Sequence, residues 1–267
     1  PYEEWTPELI AGFSAREELC PFELALELSR FADLIVGDYN YVFDPGVYLR
    51  RFCWPGQPAD NLFIVDEAHN LVPRAREMYS ATVEEAALRE VAARYPDPAL
   101  AACLEPLRQR FARWREDLAG EGATALPLAG MPAELPAELD AVIAVLGELL
   151  DALPRGELRT ALLEPFFALR HAGRIAAEMT DDDMLFVAAA GRAATRLRLF
   201  CPHPARHLRR RLERSTAAIF LSGTLAPRDY FHRLLGVREG AAAVSIPCPF
   251  PPEHRLYLHV PEVSTRY

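Results

Sequence analysis

The sequence predicts an α/β fold with a mostly parallel sheet, interrupted by a helical insertion. Two short, continuous apolar runs, LIVG (34–37) and LFIV (62–65), have the composition of strands buried on both faces, and AAIFLSGT (217–224) is a third strong strand. From Thr82 to about Thr180 the pattern changes, and apolar residues recur at helical spacing with Pro- and Gly-rich joints between them. After Asp181-Asp182-Asp183 strand signals return and alternate with helices, the pattern of an α/β layer.

The elements follow in order. Thr6-Pro7-Glu8 is an N-cap with proline at the first helical position, opening a helix to about Leu19. Pro21 opens a second, FELALELSRFA. Thr82 and Glu85 have capping-box spacing. Asp97-Pro98 starts a further helix, GEGATALPLAGMP (120–132) is a flexible connection, and two more helices are expected around 136–152 and 157–179. Helices of this length with short joints predict an antiparallel bundle. MLFVAAAG and TRLRLFC pair as a hairpin across Arg192-Ala193-Ala194, followed by an arginine-rich helix (204–214) and a helix from about Pro227. AVSI and RLYLHV close the chain as strands.

Bulk properties narrow the function. The 267 residues are 51% hydrophobic and 25% charged, as in a soluble globular protein. No apolar run approaches the roughly eighteen residues of a membrane span, and no secretory leader opens the chain, so no membrane partner is expected. The chain starts on Pro1 and stops at Tyr267 inside a strand-like stretch, so a piece of a longer polypeptide is expected. The net charge of −9 argues against strong, indiscriminate nucleic-acid binding by the chain alone. All 29 basic residues are arginine. Five dispersed cysteines, with no CxxC, fit packed thiols in a reducing cytoplasm, Cys20 excepted.

Strand LFIV ends on Asp66 and Glu67. In open parallel sheets ligands bind beyond the carboxyl ends of the strands. Mg²⁺ takes one or two carboxylates with waters and phosphate oxygens, a task that suits Asp66. Glu67, one residue on, can orient and deprotonate a water attacking a terminal phosphate. The simpler alternative is that the pair caps the helix that follows, where acidic residues are favoured. The full string, hydrophobic residues followed by DEAHN, is far more restrictive than a helix cap requires. Ser222-Gly223-Thr224 ends another strand with two hydroxyls, and His69 is expected to link them to the carboxylates.

DEAH (66–69) resembles motif II of superfamily 2 helicases. CPFELALELSRFADLIVGDYNYVFDP (20–45), FLSGTLAP (220–227), LRLFCPHPARHL (197–208) and CPFPPEHRLYLHVPEVSTRY (248–267) resemble, in order, segments of the XPD/DinG group of iron–sulfur-type DNA helicases. The resemblance implies a RecA-like sheet of the P-loop NTPase type, incomplete here, with a helical arch inserted. It implies an ATP- and Mg-dependent 5′-to-3′ translocase on single-stranded DNA, with roles in repair or replication expected. It divides the chain into 1–81, the end of the iron–sulfur region and part of motor domain 1; 82–182, the arch; and 183–267, the remainder of motor domain 1 and the start of the link to motor domain 2. The family's Walker A motif needs a lysine, and the chain has none, so the chain alone is not expected to hydrolyse ATP.

Cys20-Pro21-Phe22 matches the family's fourth cluster cysteine, which makes Cys20 an iron–sulfur ligand in a longer parent; a packed thiol is the alternative. Tyr39, Asn40 and Tyr41 follow LIVG at the same sheet edge, where they can stack on a single strand or pack the sheet end. The arginines at 192, 196, 198, 206, 209, 210, 211 and 214 are the only basic concentration, and a solvated face is expected for most. Two functions remain open: a catalytic, monomeric motor segment in which His69, Ser222, Gly223 and Thr224 relay nucleotide state, or a DNA- or protein-binding clamp derived from one.

Overall fold

The computed structural model describes residues 4–53, 60–191, 194–254, 256 and 258. Helix α1 (Pro7–Arg16) starts on Thr6, whose hydroxyl accepts from the Leu9 N–H at 3.3 Å. It packs on α2 (Pro21–Leu28), which runs into a 3-10 turn at Ser29–Phe31. Two one-turn helices follow, α3 (Asn40–Phe43) and α4 (Arg50–Cys53). Strand β1 (Leu62–Val65) leads through a 3-10 turn (Ala68–Asn70) into α5 (Leu71–Met78), and then come β2 (Ala81–Glu84) and α6 (Glu85–Arg94).

The long helices are α7 (Pro98–Gly120), α8 (Leu135–Ala152) and α9 (Glu157–Glu178), with strand β3 (Ala125–Pro127) between the first two. Helix α7 begins where expected: the Asp97 carboxylate accepts from the Leu100 N–H at 2.8 Å. Strands β4 (Met184–Ala189) and β5 (Thr195–Phe200) form a hairpin, followed by α10 (Ala205–Leu212), β6 (Ala217–Phe220) and α11 (Arg228–Leu234). A last 3-10 turn covers Pro252–His254.

Two sheets organise these elements. β1 and β6 pair in parallel, with Leu62 opposite Ala217 and Val65 opposite Phe220. The second sheet is antiparallel, in the order β2-β5-β4-β3. Its strands alternate: Ala81, Val83, Leu185, Val187, Leu197 and Leu199 are buried, while Arg196 and Arg198 lie on the other face. Helices α7 and α9 pack on this sheet and α8 packs against both of them. Leu100, Leu104, Leu107, Phe111, Leu135, Leu139, Leu146 and Leu162 fill that interior, each at or near zero exposure. The molecule is thus α/β with a parallel pair and a large helical layer, and the helical layer carries its own antiparallel sheet.

Several expectations change. LIVG (34–37) is not a strand: Leu34 is 75% and Val36 89% exposed, and no strand among the described residues lies beside it to accept its hydrogen bonds. LFIV is a strand, but Leu62 and Ile64 are exposed, so it is not covered on both faces. Helix α1 ends at Arg16, short of Leu19. Thr82 belongs to β2 and caps nothing, because Glu85 turns inward instead of back to the helix start. Part of the connection 120–132 is ordered as β3, since Ala125, Leu126 and Pro127 find an edge of β4 to pair with. The strand in 217–224 ends at Phe220. AVSI forms no strand and leaves Val244 and Ile246 exposed. RLYLHV and Arg192-Ala193 lie largely outside the described residues.

Candidate functional site

The parallel pair brings the two strand ends together. The Leu221 N–H donates to the Val65 carbonyl at 2.9 Å, and the Ala68 N–H donates back to the Leu221 carbonyl at 2.9 Å. The second bond carries the strand pairing past Val65 and fixes the turn that bears Asp66, Glu67 and His69 against the turn that bears Ser222 and Thr224.

Glu67 is left-handed, with φ 45 and ψ 44. Such a conformation is uncommon outside glycine and costs about 1–2 kcal/mol. It breaks the strand sharply and starts the 3-10 turn at Ala68, whose side chain is fully buried. One carboxylate oxygen of Asp66 accepts from the Glu67 N–H at 2.8 Å. Both carboxylates are solvent-exposed at the carboxyl end of β1, so they face the space beyond the strands rather than the interior. His69 Nδ1 lies 2.9 Å from Ser222 Oγ and 3.2 Å from Glu67 Oε2. Ser222 Oγ in turn accepts from the Thr224 N–H at 3.1 Å and lies 3.4 Å from Thr224 Oγ1. Gly223 has open space where a Cβ would stand. The structure therefore joins Glu67, His69, Ser222 and Thr224 in one chain of polar contacts.

Tyr39 meets this turn from behind. Its hydroxyl donates to the Asp66 carbonyl at 2.5 Å and lies 3.1 Å from the Glu67 carbonyl. Burial, and then the Asp66 and Glu67 charges, push the phenol above its usual range, so it remains a donor. Tyr39 is thus tied to the carboxylate turn and does not present its hydroxyl outward to a strand. Asn40 begins α3, its N–H donating to Asp38 at 3.0 Å. The Tyr41 ring lies against Gly37, where a Cβ would stand 2.9 Å from the ring. Asp38 also meets Arg74 of α5 at 3.3 Å, a pairing that no spacing in the sequence announces.

Asp66 and Glu67 fit a divalent cation by donor type: hard, exposed oxygens at a strand end. Among the described residues, no cluster of three or more His, Cys, Asp or Glu side chains is arranged to hold a metal. Cys20 is the exposed N-cap of α2, without a side-chain cap hydrogen bond. One thiol does not fit an iron–sulfur cluster, which needs several thiolates. Cys201 is buried, and burial followed by the Asp183 charge pushes its thiol up to about 12, the state of an inert packed residue. Cys248 is exposed, so packing does not account for every thiol besides Cys20.

The arginines divide. Arg196 is exposed, as expected of a solvated face, whereas Arg209 and Arg210, also exposed, meet the Gly236 carbonyl and Glu178 at 3.3 Å each. Arg198 instead holds Thr82 and Glu77 at 2.9 Å each, and Arg206 pairs with Asp183 and holds Thr180 Oγ1 at 2.7 Å. Arg211 lies over the Tyr48 ring at 3.8 Å. A groove of about 940 Å³ also runs from Asn40 and Asn70 past Arg74 to Arg170 and Arg174 of α9.

Comparisons with known proteins find similarity to helicases of the XPD type over parts of the chain. Residues 2–88 match the DEAD_2 family model. A Fanconi anemia group J protein homolog of Gallus gallus is 33% identical over 87 residues, covering 33% of this chain and 7% of that protein. A regulator of telomere elongation helicase 1 homolog of Oryza sativa subsp. japonica is 45% identical over 53 residues, covering 20% of this chain and 5% of its own. The matched segments are thus a small fraction of these relatives. Among solved structures, an XPD helicase aligns with a TM-score of 0.56 at 17% identity, over 86% of this chain and 39% of its own. A truncated XPD aligns with a TM-score of 0.58 at 16% identity, over 92% of this chain and 68% of its own. At such identities the likeness concerns the fold.

Proposed function

We propose that the chain supplies the carboxylate half of the nucleotide site and the helical arch of an ATP-dependent DNA helicase that moves 5′-to-3′ on single-stranded DNA during repair or replication. The observation that carries this reading is His69 Nδ1, within 2.9 Å of Ser222 and 3.2 Å of Glu67. It connects the end of β1 to the end of β6, so a change in charge at the carboxylates is felt at the neighbouring strand. Asp66 would hold Mg²⁺, which supplies charge stabilisation on the phosphates. Glu67 accepts the proton of the attacking water, Tyr39 holds the turn in place, and Ser222, Gly223 and Thr224 respond through His69. The groove beside Asn40, bordered by α9, is the path we assign to the single strand. The division at 81 and 182 is retained, with the antiparallel sheet spanning both boundaries through β2, β4 and β5. Unpaired Cys20, Cys103, Cys201 and Cys248 support a reducing, cytoplasmic setting and leave a cluster to thiols beyond these.

The absence of lysine, and with it of a Walker A lysine, supports an inactive chain in isolation, so the test uses the complete parent polypeptide. Wild type should hydrolyse ATP when single-stranded DNA is added, and Glu67→Gln should bind ATP yet lose at least about 100-fold in turnover, the scale of a lost general base. Equal turnover in the two proteins would leave Asp66-Glu67 as a helix cap and favour the clamp.

A further inference from the structure

The arginines that pair least conventionally surround a cavity. Helix α9, helix α10 and the segment joining α3 to α4 border a half-open space of about 310 Å³. Its lining carries five guanidinium groups, those of Arg50, Arg174, Arg210, Arg211 and Arg214, and one carboxylate, Glu178. This composition is the reverse of the whole chain, whose net charge is −9.

Tyr48 stands at the centre of the group. The guanidinium carbons of Arg211, Arg50 and Arg214 lie 3.8, 5.8 and 5.9 Å from its ring centre. Burial pushes the phenol up, and hydrogen bonds with Arg211 and Arg214 outweigh it, leaving it below the usual tyrosine range. Glu178 meets Arg210 at 3.3 Å and is itself held below the usual carboxylate range, by His207 first and then against burial by Arg210. His207 is 3% exposed and stacked on Tyr79, with ring centres 4.0 Å apart. Its Nδ1 is buried and, among the described residues, meets only Glu178, at a long 3.5 Å. A concave wall of planar, permanently charged donors with a buried imidazole nitrogen beside it matches an oxyanion with several acceptor oxygens. The volume lies at the small end of ligand pockets, room for one nucleotide-sized group.

We propose that this cavity binds a phosphate group, received from a nucleic-acid backbone or from a free phosphorylated molecule, between Arg174 on α9 and Arg210 on α10. The site is separate from Asp66 and Glu67 and stands whether or not the chain belongs to a working motor. Because Arg210 is exposed on α10, its removal leaves the buried packing of Leu208 and His207 in place.

Calorimetric titration of the full chain with pyrophosphate, and separately with a ten-residue oligothymidylate, tests the proposal. Circular dichroism serves as the fold control. Wild type should bind pyrophosphate at least ten times more tightly than the double variant Arg174→Gln/Arg210→Gln, and at least three times more tightly than Arg210→Ala alone. The single variant decides the matter if the double one fails to fold. A parallel loss of oligothymidylate binding in Arg210→Ala, whose side chain lies outside the groove assigned to the single strand, identifies the backbone as the source, while loss of pyrophosphate binding alone identifies a small phosphorylated molecule. Wild type that binds neither probe, or folded variants that bind both as tightly, would overturn the site.

Discussion

Glu85 is the side chain whose environment departs furthest from what its neighbours in sequence suggest. It is 4% exposed, yet ionised partners surround it. Arg115 Nη1 donates to both carboxylate oxygens, at 2.7 and 3.0 Å, Arg89 pairs with one of them, and the Thr195 N–H donates at 2.9 Å. One carboxylate thereby joins α6, α7 and β5. Burial pushes its pKa up, but the hydrogen bonds from Arg89, Arg115 and the Thr195 N–H outweigh it, and the net displacement is downward. A group with a lower pKa folded than unfolded contributes stability above its unfolded pKa, near 4.3, and the contribution is lost as pH falls through the folded value. Glu85→Ala should cost about 1–3 kcal/mol in urea unfolding at pH 7, because it strips the Thr195 N–H and two half-exposed guanidinium groups of their shared acceptor. The cost should shrink as pH is lowered below about 4. A loss under about 1 kcal/mol at neutral pH would mean that the arginines find other partners.

Between elements, close approach is the controlling quantity. Gly236 follows α11 with φ +68, and a Cβ there would stand 2.4 Å from the Ala205 carbonyl oxygen at the start of α10. Gly236→Ala should therefore destabilise by more than about 2 kcal/mol, combining left-handed strain with a backbone clash. Gly120, at the end of α7, meets nothing within 4 Å, so Gly120→Ala should be neutral or stabilise by about 0.5–1 kcal/mol. Equal midpoints for the two variants in one denaturation series would contradict the packing of α10 on α11. Such contacts explain what was legible in the sequence. The starts of α1 and α7 were readable because Thr6 and Asp97 act on backbone groups three residues away, and the long helices because their apolar stripe repeats locally. The β4–β5 hairpin was readable because its strands adjoin in sequence. What was hidden depends on partners far along the chain. β3 exists because β4 offers an edge, LIVG fails because the described residues offer none, and Glu85 looked like a cap because Arg115 and Thr195 are distant in sequence. At the site, DEAH was legible as a motif, but the left-handed backbone of Glu67 and the grip of Tyr39 on the Asp66 and Glu67 carbonyls have no local signature.

Across the molecule, the apolar interior is concentrated in α7, α8 and α9 and the sheet beneath them, whereas β1 and β6 form a narrow pair with Leu62, Ile64 and Ile219 exposed. His69 and Ser222 are 153 residues apart in the chain and 2.9 Å apart in space. Closing so long a flexible loop would cost about 4 kcal/mol in chain entropy, beyond a constant, and a four-residue parallel pairing returns little against it. The cost falls once the intervening residues have collapsed into a helical layer that holds the two ends near one another. Folding should therefore be ordered: the helical layer first, the β1–β6 pairing afterwards. In native-state hydrogen exchange, the amides of Ile64, Ala68 and Leu221 should open at lower free energy than those in the middle of α7, α8 and α9. The reverse order of protection would exclude this sequence of events. On this ordering, the polar chain from Glu67 to Thr224 is the last part of the protein to exist during folding and the first to dissolve, so a nascent or damaged chain loses the site while the helical layer still stands.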